Sequence, residues 1–357
     1  MISMRRKICY LHIGFPKTGS SSLQLFLASK APILWDNHLF YPDLIGFDRH
    51  IQNGVGQGNA YPVAYSLLYD KSITTWNGEM HTLSSLERCL RECRESDNVL
   101  FSTEWFTALS EQSLGKIKTT ILSFGYEPRI VSYLRSPHHW IESEIAQSIK
   151  IGKVHAIPRS FYVSQADLYE PLSAFERVFG SNSIVVRPFS PAFWFRSNLV
   201  CDFLQVVGQQ DMATHIGENE ISVQTNKHIG VKTTNLQRSL LRIGLRLTEK
   251  DLYFLDSIAA QEGFLAPRLM YSWLSRDFRS KVVSLYLPQF LECFRKHFSQ
   301  VEIDVVKADC ADYINNSICC EDICYSSMEL DRMIDVISNC RCHDGLVRLL
   351  KKTQLML

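Results

Sequence analysis

This chain of 357 residues has almost no net charge, no long hydrophobic run and no ordered cysteine pattern. Its 38 Lys and Arg against 37 Asp and Glu leave a formal charge of +1. No global field therefore draws it to nucleic acid or a membrane surface, and any anion site has to be local. No apolar stretch approaches the length that spans a bilayer. The opening, MISMRRKICYLHIGF, imitates a signal peptide in being basic and then apolar, but no small-residue cleavage site follows. It reads instead as a first strand. The 11 Cys are odd in number, and Cys9, Cys201 and Cys293 sit in apolar contexts. That suits reduced thiols better than a disulfide framework. A late cluster (Cys319, Cys320, Cys324, Cys340, Cys342, His343) has no C-x-x-C spacing, so it gives little support to zinc. Repeats, low-complexity tracts and obvious linkers are absent too.

What the chain does have is LHIGFPKTGSSSLQ at 11–24. An apolar run stops at Pro16, a Lys, a Gly and three Ser follow, and a helix-like run begins. Strand, tight turn and helix N-terminus form the geometry that holds a phosphate-type anion, with free N–H groups and the helix dipole aimed at it. Gly19 permits close backbone approach. Lys17 adds a full charge, and Thr18, Ser20, Ser21 and Ser22 add hydroxyl donors. The nucleoside triphosphatase loop G-x-x-x-x-G-K-[ST] is the first comparison. Gly14 and Gly19 have its spacing, but Ser20 stands where that loop needs Lys, and the Lys sits inside the turn.

Alternation of strand-like and helix-like segments through the first half predicts an α/β fold. A central, mostly parallel sheet flanked by helices is expected, with a helical C-terminal part. Strands are expected near 8–14, 99–102, 129–134 and 183–187, with helices at 19–29, 82–95, 113–124, 137–151, 172–179 and 198–207. Residues 35–60 look irregular. Beyond 209 the pattern is helical over 228–246, 273–298 (interrupted by Pro288) and 326–351.

A second motif is IVSYLRSPHHWIESEIAQSIK at 130–150. Arg135 ends a strand, Pro137 opens a helix, and Ser143 lies eight residues after Arg135 on that helix. Arg grips a phosphate bidentately, and a Ser about two turns into the helix is able to face the same pocket. The two motifs together resemble the sulfotransferases that use 3′-phosphoadenosine-5′-phosphosulfate (PAPS). In that family P-K-[TS]-G-[TS]-[TS] follows the first strand. The likeness is close over 10–27, weaker through IVVRPF (184–189) and LVCDFLQVVG (199–208), and covers about 8–300. It implies a P-loop-like sulfotransferase fold. It also implies that Lys17, Thr18, Gly19, Ser20, Ser21 and Ser22 bind the 5′-phosphosulfate, and that Arg135 and Ser143 bind the 3′-phosphate. One departure is the missing late R-K-G motif, which points to the bacterial or carbohydrate-type branch. Arg238, Arg242 or Arg246 offer substitutes, although their spacing is also that of a solvated helix face.

The implied reaction passes a sulfuryl group from PAPS to a hydroxyl or amine acceptor, a carbohydrate or glycan precursor by analogy, and requires no metal. Lys17 neutralises charge on the leaving phosphate. Two residues compete for the role of base: Glu104, after the strand in LFSTEW, and His50, in GFDRHIQNG. His138 and His139 read as capping or solvent-facing. Aromatics in the loops at 35–80 and 150–170 (Trp35, Tyr41, Tyr61, Tyr65, Trp76, Phe161, Tyr162) suit stacking on an acceptor ring or serve as packing anchors. The expected division is a sulfotransferase domain over 1–302 and a helical, Cys-rich extension over 303–357. A cytoplasmic, bacterial enzyme without nucleic-acid partner or transmembrane segment is expected. The alternatives are a nucleotide kinase on a related loop, or a sulfotransferase-like scaffold that has lost turnover.

Overall fold

The apolar run near the start of the chain forms β1 (Lys7–Ile13), whose last five residues are buried. A strand shielded on both faces reads as a continuous apolar run, not an alternation, and KICYLHI is such a run. The computed structural model describes residues 7–48, 51, 57–75, 78–94, 97–153, 169–217, 229–266, 271–319, 324–338 and 344–354. After β1 come α1 (Ser20–Ser29), α2 (Ala31–Asp36) and the short strand β2 (Leu39–Phe40). The segment expected to be irregular thus holds a helix end and an edge strand. Two residues are too few to carry a strand period.

Next are α3 (Tyr61–Tyr69) and α4 (Leu83–Glu92), the second opened by a Thr82–Ser85 capping box. β3 (Asn98–Thr103) leads through a 3-10 turn, Glu104–Ala108, to α5 (Glu111–Ser123), capped by Ser110. β4 (Tyr126–Leu134), α6 (Pro137–Lys150), α7 (Glu170–Phe179) and β5 (Ile184–Pro188) follow, then α8 (Leu199–Val206) and α9 (Gln210–His215).

The five strands form one parallel sheet in the order β2-β3-β1-β4-β5. This is the α/β architecture the sequence predicts. Leu11 lies opposite Phe101 on one side and Ile130 on the other, and all three are fully buried. β1 is where the winding reverses. The chain leaves it for β2 and β3 on one side and then crosses to β4 and β5 on the other.

Packing divides the chain into two compact units, 1–136 with 167–226, and 137–166 with 227–357. The first unit holds the sheet. The second is helical and includes α6, α10 (Val231–Arg242), α11 (Glu249–Gln261), α12 (Arg276–Arg295), α13 (Gln300–Asn316), α14 (Ser327–Ser338) and α15 (Asp344–Gln354). Leu236, Leu240 and Leu255 share an apolar cluster with Met333, Ile337 and Leu350. The C-terminal helices therefore complete the core of this unit. α12 continues through Pro288, contrary to expectation, with Tyr286 and Phe290 buried on either side of it. Of the expected helix at 326–351, Ser327–Ser338 and the part from Asp344 onward are helical, and 339–343 lie outside the described residues. Among the described residues no helix is long and apolar enough to cross a membrane.

Candidate functional site

Three segments leave the sheet side by side, at the carboxyl ends of β3, β1 and β4. Glu104 follows β3, the Gly14–Ser20 loop follows β1, and Arg135 follows β4. Ile13 lies opposite Thr103, and the Gly14 N–H donates to the Thr103 carbonyl at 3.4 Å. Open parallel sheets bind ligands at carboxyl strand ends where the winding reverses.

The loop is built on two left-handed residues, Lys17 (φ 65°) and Gly19 (φ 73°). Positive φ is uncommon for a side chain such as lysine. Left-handed residues within such a turn aim backbone N–H groups into an anion-binding concavity. Gly19 is the N-cap of α1. No side chain caps that helix at Gly19 and no acid lies in its first turn to offset the positive end of its dipole. A Cβ on Gly19 would lie 2.6 Å from Leu199 Cδ2 and 3.2 Å from Phe189 Cε2. A Cβ on Gly14 would lie 2.7 Å from Ser20 Oγ and 2.9 Å from Glu104 Cγ. Gly19 is favoured by its positive φ as well as by the close packing, and a side chain at Gly14 would force Ser20 and Glu104 to shift.

The loop hydroxyls divide in role. Thr18 is buried and its Oγ1 donates to the Phe15 carbonyl at 2.6 Å; Ser20 is buried with its Oγ 3.5 Å from the same oxygen. These two shape the loop from inside. Ser21 and Ser22 are half-buried in the first turn of α1, and Lys17 is half-buried beside them in sequence.

Arg135 reaches back to this loop. Its Nη1 donates to the Lys17 carbonyl at 3.0 Å, and its guanidinium lies 5.4 Å from the Phe189 ring centroid. Burial pushes its pKa down to about 10. No carboxylate among the described residues pairs with it. Phe189 follows β5, and its own N–H donates to the Leu134 carbonyl at 2.7 Å. The same ring thus faces both Gly19 and Arg135.

Glu104 is half-buried, with its Cγ against the Gly14 backbone at the loop entrance. Of the two candidate bases it is the one the structure locates, because His50 lies outside the described residues. Trp105, the next residue, groups with Tyr61 (5.2 Å between centroids), Tyr65 (6.1 Å) and Tyr69 (6.3 Å). These rings are half-buried or exposed. Tyr41, by contrast, is 2% exposed and belongs to the core, and Trp35 packs on Phe40. Trp76, Phe161 and Tyr162 lie outside the described residues.

Two supporting networks were not singled out from sequence. In the first, Gln24 Nε2 donates to Ser102 Oγ at 3.1 Å, and Ser102 Oγ lies 2.7 Å from His12 Nδ1. The hydroxyl has one proton and two lone pairs, so the direction of its bond with His12 Nδ1 follows the imidazole tautomer. Burial lowers the His12 pKa to about 3, so the imidazole is neutral. In the second, Asp202 on α8 accepts from Arg187 on β5 (2.6 and 3.0 Å), from the Tyr133 hydroxyl (2.7 Å) and from the Phe195 N–H (3.0 Å). This fixes the segment after β5 that carries Phe189. The sequence signal was an opposite charge inside each of two apolar runs, IVVRPF and LVCDFLQ.

Other residues lie in the helical unit. Ser143 is half-buried on α6, so its pairing with Arg135 rests on the eight-residue spacing alone. His138 does not face solvent as expected: it is 0% exposed, because the first turn of α6 packs against α13. Arg238 is 5% exposed beside Trp273 and is not on a solvated face, whereas Arg242 and Arg246 are exposed. In the cysteine-rich tail, Cys324 is an exposed thiol near Asn235; Cys320, Cys340, Cys342 and His343 lie outside the described residues.

No protein-family profile matches the chain. An uncharacterized protein of Archaeoglobus fulgidus is 24% identical over 174 residues, 48% of this chain and 46% of that protein. The chain thus spans about half the length of that relative. No solved structure matches.

Proposed function

We propose that this chain is a sulfotransferase that moves a sulfuryl group from PAPS to a hydroxyl or amine acceptor. One observation carries the reading: the half-buried Arg135 guanidinium lies on the lysine-bearing loop with no carboxylate partner among the described residues. A cation withdrawn from water is costly without a counter-anion. Beside it stands a helix start with neither side-chain cap nor acid. Both features favour an anionic ligand with charge in more than one place, as in a nucleotide phosphorylated at 3′ and 5′. The pattern P-K-T-G-S-S at 16–21 and the Arg135–Ser143 spacing support PAPS over ATP. The position that a triphosphatase loop gives to Lys is Ser20 here.

In this reading the backbone N–H groups of 18–21 and the Ser21 and Ser22 hydroxyls hold the 5′-phosphosulfate. Arg135 holds the 3′-phosphate; the role of Ser143 beside it rests on the eight-residue spacing in the sequence. The acceptor oxygen attacks sulfur, and the bond between sulfur and the 5′-phosphate oxygen breaks. The acceptor proton passes to the Glu104 carboxylate, or to His50 as the second candidate. Lys17 neutralises the charge that grows on the departing phosphate. Adenosine 3′,5′-bisphosphate leaves. The aromatic group of Tyr61, Tyr65, Tyr69 and Trp105 suits the face of a sugar ring beside Glu104. The buried thiols Cys9, Cys89, Cys93, Cys201 and Cys310 are unpaired by disulfides, which favours a reducing, cytoplasmic setting.

The test is consumption of PAPS with a panel of sugar and phenolic acceptors, read as release of adenosine 3′,5′-bisphosphate. Acceptor-dependent release that Lys17→Ala removes supports the reading. Absence of release together with absence of bisphosphate binding contradicts it.

A further inference from the structure

The helical unit carries a cluster that sulfuryl transfer does not use. His138 and His139 stand in the first turn of α6, and Asp309 stands on α13. His138 Nε2 lies 3.1 Å and His139 Nε2 lies 3.2 Å from the same oxygen, Asp309 Oδ2. The three ligand atoms all fall within 4.8 Å of one another. The two imidazoles are 4.1 Å apart between centroids and tilted by 41°. Zinc–nitrogen and zinc–oxygen bonds near 2.0–2.2 Å put neighbouring ligands of a tetrahedral ion about 3.3 Å apart. The two nitrogen–oxygen separations have that size.

The surroundings are those of a supported ligand. His138 is fully buried, and its other nitrogen, Nδ1, lies 3.4 Å from the Cys310 thiol sulfur. With Nε2 on a metal, Nδ1 carries the ring proton, and the thiol sulfur is a weak acceptor placed to receive it. The Tyr313 ring packs on His138 at 4.7 Å, and its hydroxyl donates to Glu142 at 2.5 Å. Glu142 also accepts from the Trp273 N–H at 2.8 Å and from the Ser272 hydroxyl. The face of α6 that presents His138 is thus fastened one turn further along. His139 and Asp309 are partly exposed, with side chains 39% and 35% accessible, which leaves an entry path and room for water as a further ligand.

We propose that His138 Nε2, His139 Nε2 and an Asp309 carboxylate oxygen bind one divalent transition-metal ion of the zinc class, clamping α6 to α13. Two imidazoles and one carboxylate suit zinc or cobalt. Magnesium and calcium prefer all-oxygen sets. The ion is structural, and the inference does not depend on the sulfotransferase reading.

The experiment uses the full, untagged chain after chelator treatment. It is titrated with zinc by calorimetry and with cobalt by visible absorption. The expected result is one ion per chain at micromolar metal, with the intense visible bands of tetrahedral cobalt. His139→Ala, at a partly exposed position, abolishes this without lowering the melting temperature of the metal-free protein. Asp309→Ala also abolishes binding, and it lowers the stability of the metal-free protein because it removes the partner of the buried His138 Nε2. Cys310→Ala weakens binding about tenfold or more through loss of the outer partner. His215→Ala, at an exposed histidine in the sheet-containing unit, changes nothing. A stripped wild-type chain that takes up neither metal overturns the proposal, as does undiminished binding by His139→Ala.

Discussion

Arg135 donates from Nη1 to the backbone carbonyl of Lys17 at 3.0 Å, joining two turns 118 residues apart in sequence. The bond places a guanidinium at the back of a loop whose N–H groups already favour an anion. In the proposed reaction the arginine serves both loop and ligand.

Arg135→Ala should weaken binding of adenosine 3′,5′-bisphosphate. Loss of a hydrogen bond to a charged group costs about 1.5–3 kcal/mol, or roughly 10- to 150-fold in affinity. Arg135→Lys should recover only part, since an ammonium lacks the planar fork. Calorimetry reads both, and unchanged affinity in the alanine variant removes the 3′-phosphate role.

Lys17→Ala should lower the transfer rate by about 10²–10³, the scale seen when one charge-stabilising donor is lost. Its melting temperature should match wild type, because the side chain is half-exposed and outside the core. Single-turnover kinetics with saturating donor measure the effect. A rate within about twofold of wild type would rule out the role.

Gly19→Ala should destabilise the fold by about 1–3 kcal/mol, since it combines a left-handed backbone with a Cβ 2.6 Å from Leu199. Urea denaturation checks the value. Gly14→Ala should also destabilise, through contacts with Ser20 and Glu104.

Asp202→Ala should cost about 3–5 kcal/mol, because it leaves Arg187 without its buried partner. Replacing both residues by apolar ones of similar volume should recover most of that. A single-variant loss below about 1 kcal/mol would mean the pair is solvated.

His12 should steepen the acid limb of stability. Its folded pKa of about 3 is depressed by burial, against about 6.5 unfolded. As pH falls below about 6.5 the unfolded chain takes up a proton that the folded chain refuses. Stability is therefore full above that pH and declines by up to about 1.4 kcal/mol per pH unit until about pH 3. His12→Asn should flatten this limb in urea titrations at a series of pH values. An unchanged slope would show that His12 titrates normally.

The strands and helices around the loop were legible because each has a strong local signal. KICYLHI is a continuous apolar run, Gly19 and Pro137 are punctuation, and Gly125 and Gly180 end helices. β2 was not legible, because a two-residue edge strand exists only through its pairing with Asn98 and Val99. The loop, Glu104 and Arg135 were legible as motifs at strand ends, and the sheet order then made them neighbours. His12 and Asp202 were missed because a polar residue in an apolar run gains meaning only from partners distant in sequence. The burial of His138 was not legible for the same reason: it comes from α13, about 170 residues away.

The most direct test of the account is calorimetric titration of the wild-type chain with adenosine 3′,5′-bisphosphate and, separately, with ATP. The account predicts one bisphosphate per chain, much weaker ATP binding, and no bisphosphate binding by the Lys17→Ala/Arg135→Ala double variant. A wild-type chain that ignores the bisphosphate, or binds ATP equally well, would contradict it.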